Sequence, residues 1–322
     1  MKPFAYARPT AVAEALELAR NGATVMAGGT DLLGLMKDGI AAPDRIVDIR
    51  GLEPLRGWAR TKGKGLRIGA LVSLVELETS TELAKLMPIV GEALRPAATT
   101  QLRTMGTVGG NLLQRNRCWY FRDEAYPCWL KGGVRCFAVD GDNRQHAIIG
   151  AEECVAVAPS DLAPALIAYD ASVVLSGSRG QRTMPLSDLF VTPHGRVRRE
   201  HAISPDELIL EVRVPENAIA RRGAFEKAME RKAWSFALVS VAVSVKVIGG
   251  VARDPRIVLG GVAPVPWRAR DAEKVLEGRA LDDNACEAAA DAALEKAEPL
   301  KDNGYKVPLA RELVRRTLRR LA

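Results

Sequence analysis

The chain has 322 residues, which is more than one hydrophobic core usually occupies, so we expect two or three packed subdomains. Hydrophobic residues form 48% of the chain and charged residues 26%, and these values exclude wholesale disorder. The net charge of +7 is dispersed apart from an arginine-rich C-terminus, and we discount it as a sign of nucleic-acid binding. The longest uncharged apolar run, Ala233 to Val245, is too short to span a bilayer, and we expect no leader peptide.

The N-terminal part of the chain alternates between strand-like and helix-like patterns. In chain order, the sequence predicts a strand at Phe4–Tyr6, a helix from Pro9 to Arg20, a strand at Thr24–Met26, a helix from Leu32, a buried strand at Arg45–Ile49, a strand at Leu66–Ala70, and one or two helices from Ser73 to Leu94 that break at Pro88.

No regular helix or strand pattern is present between about Arg115 and Glu153. The stretch Cys118 to Phe137 holds six aromatic residues, so we interpret this segment as an irregular insert with its own small core.

Regular patterns return after the insert. The sequence predicts a strand at Cys154–Val157, a helix at Asp161–Tyr169, a strand at Ser172–Leu175, a polar basic link from Thr192 to Glu200, and a strand at Leu208–Val214. Beyond Gly223 it predicts strands at Ala224–Met229, Ala237–Ile248 and Arg256–Gly260, followed by helices at Ala269–Leu276, Asn284–Lys296 and Leu309–Leu321. Strands followed by helices indicate a separate α+β unit at the C-terminus.

Two Gly-Gly pairs beside hydroxyl residues are the first candidate binding feature. They lie in Ala27-Gly28-Gly29-Thr30-Asp31 and in Thr107-Val108-Gly109-Gly110-Asn111, each predicted between a strand-like run and a helix start. Adjacent glycines let backbone N–H groups converge on an anion, and a helix N-terminus adds partial positive charge. Together the loops would hold the two phosphates of a dinucleotide, although two ordinary turns are the alternative. Asp31 is unusual beside a phosphate, and as an N-cap it would turn to backbone amides.

Four of the five cysteines form a cluster in the sequence. Cys118, Cys128, Cys136 and Cys154 lie together, whereas Cys286 stands apart in a predicted helix. Neither the size of the chain nor the absence of a leader favours disulfides. A structural zinc and an iron–sulfur cluster both need four thiolates, and the spacing alone divides these two interpretations nearly evenly. His146 lies in the same segment and could ligate or hydrogen-bond near the cysteines, but a lone histidine in a polar loop is more often structural. No motif assigns a catalytic residue.

These motifs resemble the FAD-binding subunit of the xanthine dehydrogenase and molybdenum hydroxylase family. The two glycine loops, Ser160-Asp161-Leu162, Leu259-Gly260-Gly261-Val262-Ala263-Pro264 and Pro266-Trp267-Arg268 carry this resemblance nearly end to end. Within the insert, Gln114-Arg115-x-Arg117-Cys118, Pro127-Cys128, Cys136, and Arg144-Gln145-His146-Ala147 leading to Cys154 look like the [4Fe-4S]-containing FAD subunit of periplasmic aldehyde oxidoreductases. Flavoproteins of 4-hydroxybenzoyl-CoA reductases resemble it less, because their comparable insert has different cysteine spacing.

The resemblance implies an α+β fold with two domains. The first would be a two-part FAD-binding domain of the PCMH type at 1–220, with subdomains 1–55 and 56–220 and an iron–sulfur insert at about 115–153. The second, at 221–322, would be an antiparallel sheet with helices, like the C-terminal domain of the CO dehydrogenase flavoprotein.

The resemblance also implies a ligand set. The first loop, with Thr107 and Gly110, would hold the FAD pyrophosphate, Asp161 would bind the sugar-alcohol part of FAD, and Ile209 and Lys227 would line the flavin ring. A lysine there would stabilise negative charge on reduced flavin. The full expected set for FAD is Thr24, Val25, Met26, Ala27, Gly28, Gly29, Thr30, Asp31, Leu32, Thr107, Gly110, Asn111, Asp161, Ile209 and Lys227. The expected [4Fe-4S] ligands are Cys118, Cys128, Cys136 and Cys154.

The function that the resemblance implies is electron transfer within a heterotrimer or a multiple of it. A large molybdenum-cofactor subunit would oxidise the substrate, a small [2Fe-2S] subunit would deliver electrons to the FAD, and an external acceptor would receive them. The [4Fe-4S] cluster would relay electrons or stabilise the fold. The alternatives are a zinc-stabilised binding module that docks an acidic partner, a subunit of a hydroxybenzoyl-CoA reductase-like or xanthine dehydrogenase-like complex, and a stand-alone flavin oxidase. The expected location is cytoplasmic by default, or periplasmic through co-export with a partner that carries the signal.

Overall fold

The computed structural model describes residues 1–322, and its first sheet is small and parallel. Strand β3 (Arg45–Asp48) lies in the middle and pairs with both β1 (Ala5–Ala7) and β2 (Thr24–Met26). Helices α1 (Val12–Arg20) and α2 (Leu32–Lys37) connect the strands, as parallel pairing requires. The strands and helices predicted in this segment are confirmed to within three residues of their bounds.

The second sheet is antiparallel and has five strands. In spatial order they are Trp58–Thr61, Gly65–Gly69, Leu208–Val214, Ser172–Gly177 and Gly180–Pro185. One face is covered by helices at Leu74–Thr79, Thr81–Leu86, Pro88–Leu94, Thr100–Met105, Val108–Leu112 and Leu162–Ala168. Short helical turns at Leu186–Leu189 and Glu216–Ile219 add to this core, whereas the turn Glu53–Leu55 packs against the first sheet through Leu55. Aliphatic side chains from the sheet and the helices form the largest core of the protein.

Local capping explains one difference from the sequence-based expectation. The segment Ser73–Leu94 forms three helices rather than one or two. The Ser73 hydroxyl caps the first and the Ser80 hydroxyl caps the second, so the chain stops and restarts before Pro88 begins the third.

Two other predictions are wrong. The expected strand Cys154–Val157 is irregular, because its apolar side chains are buried by the insert and the C-terminal domain without a partner strand. The second glycine loop does not follow a strand, since Val108–Leu112 is itself a short helix and the helix Thr100–Met105 precedes it. The strands Trp58–Thr61 and Gly180–Pro185 are additional elements that the sequence patterns did not indicate.

The C-terminal part is an antiparallel sheet backed by three helices, as predicted, but the sheet has four strands rather than the three expected, since Trp267–Arg268 adds one. Its strands, in spatial order, are Trp267–Arg268, Val251–Gly260, Val239–Ile248 and Arg222–Ala228. The helices Arg270–Leu276, Asp283–Leu294 and Lys306–Arg319 pack on one face. The other face packs on the helices that cover the five-stranded sheet: Val241 and Val243 belong to the C-terminal core, whereas the intervening Ala242 belongs to the largest core. None of the helices in the protein combines the length and apolar content needed to cross a membrane.

The insert contains three short helical segments around a small core, to which Leu35 of α2 also contributes. These are Trp119–Arg122, Trp129–Lys131 and Phe137–Asp140. Phe121, Trp129 and the buried cysteines Cys128 and Cys154 pack together there. The prediction of an irregular insert with a small core is therefore confirmed.

A buried arginine ties the C-terminal sheet to the preceding domain. The Arg221 side chain is 1% exposed, and its guanidinium lies 2.7 Å from a carboxylate oxygen of Asp170 and 2.5 Å from one of Asp254. Arg256 bridges the same two carboxylates. Because each acid faces two guanidinium groups, the cluster stays compensated although Arg221 is withdrawn from water.

We predict that Arg221→Met lowers the free energy of unfolding by about 3 kcal/mol, because it leaves two acids short of a counter-charge at the interface. Guanidinium chloride unfolding followed by tryptophan fluorescence measures this change. The control is Arg253→Met, whose side chain is 53% exposed and lies 3.5 Å from Glu277; it should cost no more than about 1 kcal/mol. Equal losses in the two variants would contradict the role assigned to Arg221.

Candidate functional site

A cleft of about 380 Å³ opens between the first sheet, the second glycine loop and the strand Leu208–Val214. The whole segment Thr24–Leu32 lines it, together with Thr107, Gly110 and Ile209. A smaller cavity of about 100 Å³ adjoins it and contains Asn111, Asp161 and Lys227. Four residues line both spaces: Thr30, Asp31, Gly110 and Gln114. The structure thus brings all fifteen residues predicted to bind FAD to one elongated cleft, while their individual roles stay predictions.

The two glycine loops touch each other at Gly28. A Cβ atom built on Gly28 would lie 1.8 Å from the carbonyl oxygen of Met105, so no side chain fits there. The next residue, Gly29, has a φ of +71°, which lies in the left-handed region that favours glycine. This glycine pair therefore lets the first loop turn and approach the backbone of the second loop closely.

The second loop is held by a helix cap. The Thr107 hydroxyl oxygen accepts a hydrogen bond from the Gly110 amide at 3.2 Å, and the Gly109 amide donates to the Ala70 carbonyl at 2.9 Å. The first bond holds the loop in shape, and the second attaches it to the end of the interior strand Gly65–Gly69. The Thr107 oxygen is engaged as a cap, which leaves its hydroxyl hydrogen free to donate to an acceptor in the cleft.

Asp161 and Lys227 form an ion pair in the smaller cavity. The Lys227 Nζ donates to an Asp161 carboxylate oxygen at 2.8 Å and to the Ser235 carbonyl at 2.8 Å. Both side chains are buried, at 7% and 2% exposure. Burial raises the pKa of Asp161, and the Lys227 ammonium opposes that rise. The family resemblance implied both residues as FAD ligands but did not indicate that they pair.

Asp31 joins the first glycine loop to the insert. Its carboxylate accepts from the Arg115 amide at 2.8 Å and from the Arg122 guanidinium at 2.8 Å, and it also binds the guanidinium of Arg117. It makes no side-chain bond to the amides of the helix that it precedes, so the expected N-cap role is wrong. Two arginines against one carboxylate leave net positive charge beside the loop, which suits an anionic ligand.

Glu200 is a second anchor of the insert, which the sequence reasoning missed. Its carboxylate accepts from the Asn116 amide at 2.9 Å and from the Asn116 side chain at 2.7 Å, and it binds Arg115 as well. Glu200 is the last residue of the predicted polar link from Thr192 to Glu200, to which the sequence assigns no function. No local sequence signal marks it, because its partners lie about one quarter of the chain away.

The four insert cysteines surround one small pocket. Cys118, Cys128, Cys136 and Cys154 line it with Phe121, Trp129 and other apolar residues. All are free thiols. Burial raises the pKa of Cys118 to about 12 and also raises the pKa of Cys154. No three histidine, cysteine or acidic side chains converge on one point as a single metal ion would require.

His146 touches this cysteine group. Its Nε2 lies 3.2 Å from the Cys118 sulfur. Burial, followed by the nearby Lys306 ammonium, lowers the pKa of His146 to about 4. The structure therefore places His146 in the cysteine site, where the sequence favoured a structural role.

Comparison with known proteins gives matches along nearly the whole chain. Residues 2–217 match the family described as the FAD binding domain in molybdopterin dehydrogenase, and residues 224–321 match the CO dehydrogenase flavoprotein C-terminal domain. The chain is 38% identical over 316 residues to the aldehyde oxidoreductase FAD-binding subunit PaoB of Escherichia coli (strain K12), covering 97% of this chain and 96% of that one.

Carbon monoxide dehydrogenases give a second group of similar proteins. The chain is 30% identical to the medium chain of carbon monoxide dehydrogenase from Hydrogenophaga pseudoflava, covering 98% of this chain and 96% of that one. A solved structure of the enzyme from the same organism, which lacks the Mo-pyranopterin moiety, superimposes with a TM-score of 0.79 at 28% identity. It covers 100% of this chain and 98% of the other.

We predict that Gly28→Ala weakens FAD binding by about 5- to 150-fold, because a methyl group would force the two loops apart at an overpacking cost of about 1–3 kcal/mol. Fluorescence titration of the deflavinated protein with FAD measures the Kd. The control is Gly34→Ala on the following helix, where a Cβ meets no atom within 4 Å. An unchanged Kd in Gly28→Ala would show that the close approach of the loops does not shape the cleft.

Proposed function

The chain belongs to the family of FAD-binding subunits of molybdopterin dehydrogenases, and we propose that it is the FAD- and [4Fe-4S]-binding electron-transfer subunit of a molybdenum-cofactor aldehyde oxidoreductase. The observation that carries the proposal is the position of the four-cysteine pocket next to the cleft, with Asp31 joining the two.

The residues of the cleft suit a dinucleotide that contains flavin. The glycine loops offer backbone amides and the Thr107 hydroxyl to a pyrophosphate, and the arginines around Asp31 add positive charge. Ile209, which is buried, gives an apolar wall. Bound FAD would supply two-electron redox chemistry. Lys227 would favour negative charge on the ring, and Asp161 would hold that lysine in place.

The insert has the donor chemistry of an iron–sulfur site. Four thiols face one pocket, and aromatic side chains exclude water from it. Arg135 stacks on Phe137 and Arg198 on Trp129, at 4.6 and 4.8 Å from the ring centroids, so cations surround the thiols. Four thiols around one pocket match the four thiolates of a [4Fe-4S] cluster, and the aromatic lining supplies the apolar surroundings that tune such a cluster. We propose Cys118, Cys128, Cys136 and Cys154 as the cluster ligands.

The substrate pocket belongs, in this proposal, to another subunit. The similar proteins include a FAD-binding subunit and medium chains, so their enzymes contain further chains. We therefore propose a large molybdenum-cofactor subunit that oxidises an aldehyde and a small [2Fe-2S] subunit that delivers the electrons. An external acceptor would receive them from this chain. The location stays a prediction: cytoplasmic, or periplasmic by co-export with a partner.

We predict that Cys128→Ser loses cluster iron while FAD stays, because the thiolate is replaced by a poor iron ligand outside the FAD cleft. Iron and flavin are counted in the complex purified anaerobically. The matched control is Cys286→Ser, a fully buried cysteine in the helix Asp283–Leu294, which should keep its iron. Unchanged iron in Cys128→Ser would remove Cys128 from the ligand set, and zinc without iron in the parent protein would favour the zinc-stabilised module.

We predict that Lys227→Met shifts the reduction potential of bound FAD to a more negative value, because the buried ammonium favours the negatively charged reduced form. The expected shift is about 30 mV or more, which is about 1.4 kcal/mol for a two-electron couple. A spectroscopic redox titration measures it, with Lys274→Met as the control, since that side chain is 77% exposed on a distant helix. Equal potentials in both variants would place Lys227 away from the flavin ring.

A further inference from the structure

We propose that His146 is a positioning residue that raises the reduction potential of the [4Fe-4S] cluster by donating a hydrogen bond from Nε2 to the sulfur of Cys118. The inference rests on the proposed cluster ligands. It assigns a role to a residue that the sequence analysis treated as structural.

The contact is short and protected from solvent. The His146 Nε2 and the Cys118 Sγ are 3.2 Å apart, and His146 is 3% exposed. The edge of Trp119 packs against the imidazole, with ring centroids 5.2 Å apart and planes at 81°. A hydrogen bond to sulfur in such surroundings meets no competition from water.

The direction of the hydrogen bond follows from the chemistry of the sulfur. A thiolate bound to iron carries no proton and accepts hydrogen bonds. The other ring nitrogen of His146, Nδ1, is buried without a partner. A neutral imidazole has a single N–H group. In His146 that group has a hydrogen-bond acceptor only when the hydrogen is on Nε2, which faces the Cys118 sulfur. Cluster binding therefore fixes the tautomer that donates to Cys118.

The backbone of His146 is held in place by the C-terminal domain. The carbonyl oxygen of His146 accepts from Lys306 Nζ at 3.0 Å and from Asn303 Nδ2 at 3.3 Å. Lys306 is fully buried and also donates to the carbonyls of Gln145 and Gly261, both at 2.8 Å. These bonds anchor the end of the insert from a helix more than one hundred and fifty residues later. The imidazole is thus set against the sulfur before a cluster is bound.

An N–H group that points at a ligand sulfur stabilises the more negative, reduced state of an iron–sulfur cluster. Hydrogen bonds to ligand sulfurs are among the features that set cluster potentials. Loss of the bond should therefore make the cluster harder to reduce. The effect should be largest at the cluster, because the His146 nitrogen contacts the Cys118 sulfur directly, and neither residue lines the larger FAD cleft.

The test compares His146→Phe with His146→Gln in the complex purified anaerobically with its partner subunits. Phenylalanine keeps the ring that packs on Trp119 but has no N–H, whereas glutamine keeps an N–H donor. A redox titration followed by electron paramagnetic resonance gives the midpoint potential of the cluster. For His146→Phe we expect a lower midpoint potential of the cluster. At the parent's midpoint potential, the ratio of reduced to oxidised cluster should be about tenfold smaller, which corresponds to a shift of about 59 mV for one electron. His146→Gln should restore part of this shift.

The control is His201→Phe, a substitution at a histidine that packs on Phe190 rather than on a cysteine, and it should leave the cluster potential unchanged. A His146→Phe protein with four irons and the parent's potential would overturn the inference while leaving the cluster in place. A parent complex without iron would overturn both the inference and the proposed cluster. If His146→Phe fails to retain iron, nitrogen hyperfine spectra of the parent labelled with ¹⁵N-histidine decide: a coupling to the cluster supports the hydrogen bond, and none contradicts it.

Discussion

One carboxylate, that of Asp31, joins the first glycine loop to the cysteine insert. The loop packs against the second glycine loop at Gly28, and Asp31 immediately follows the turn. Its bonds to Arg115, Arg117 and Arg122 attach the start of the insert to the wall of the cleft. The same arginines reverse the local charge, so an acid beside the expected phosphate site does not repel an anion. The relative position of the cleft and the cysteine pocket therefore depends on the bonds that Asp31 makes to these arginines.

The other end of the insert is held by a different part of the protein. Lys306 and Asn303, at the start of the last helix, bind the backbone around His146. The C-terminal sheet in turn supplies Lys227, which reaches Asp161 of the preceding domain. The interface between the two domains, which Arg221 stabilises, therefore also holds Lys227 and Asp161 in position. This arrangement explains why the residues proposed to bind FAD are spread over the sequence although they line one cleft.

The sequence was sufficient for features that depend on neighbouring residues. The strands Thr24–Met26 and Leu208–Val214 were predicted at their observed bounds, and the glycine pairs and the cysteine spacing identified the two regions of the site. Pairing between distant residues was not predictable in this way. The ion pair of Asp161 with Lys227 and the contact of Cys118 with His146 arise from the packing of distant segments. Local sequence patterns do not indicate which distant residues will meet. Cys154–Val157 has the composition of a strand but finds no partner strand, so composition was misleading there.

The central claim is that one chain holds FAD and a [4Fe-4S] cluster in adjacent sites. The most direct test is an absorption spectrum with metal and flavin analysis of the complex isolated anaerobically. After the partner's cofactors are subtracted, this account predicts one FAD and about four irons per chain, the stoichiometry of a [4Fe-4S] cluster, in a yellow-brown protein. Zinc in place of that iron, with no flavin bands, would contradict the account.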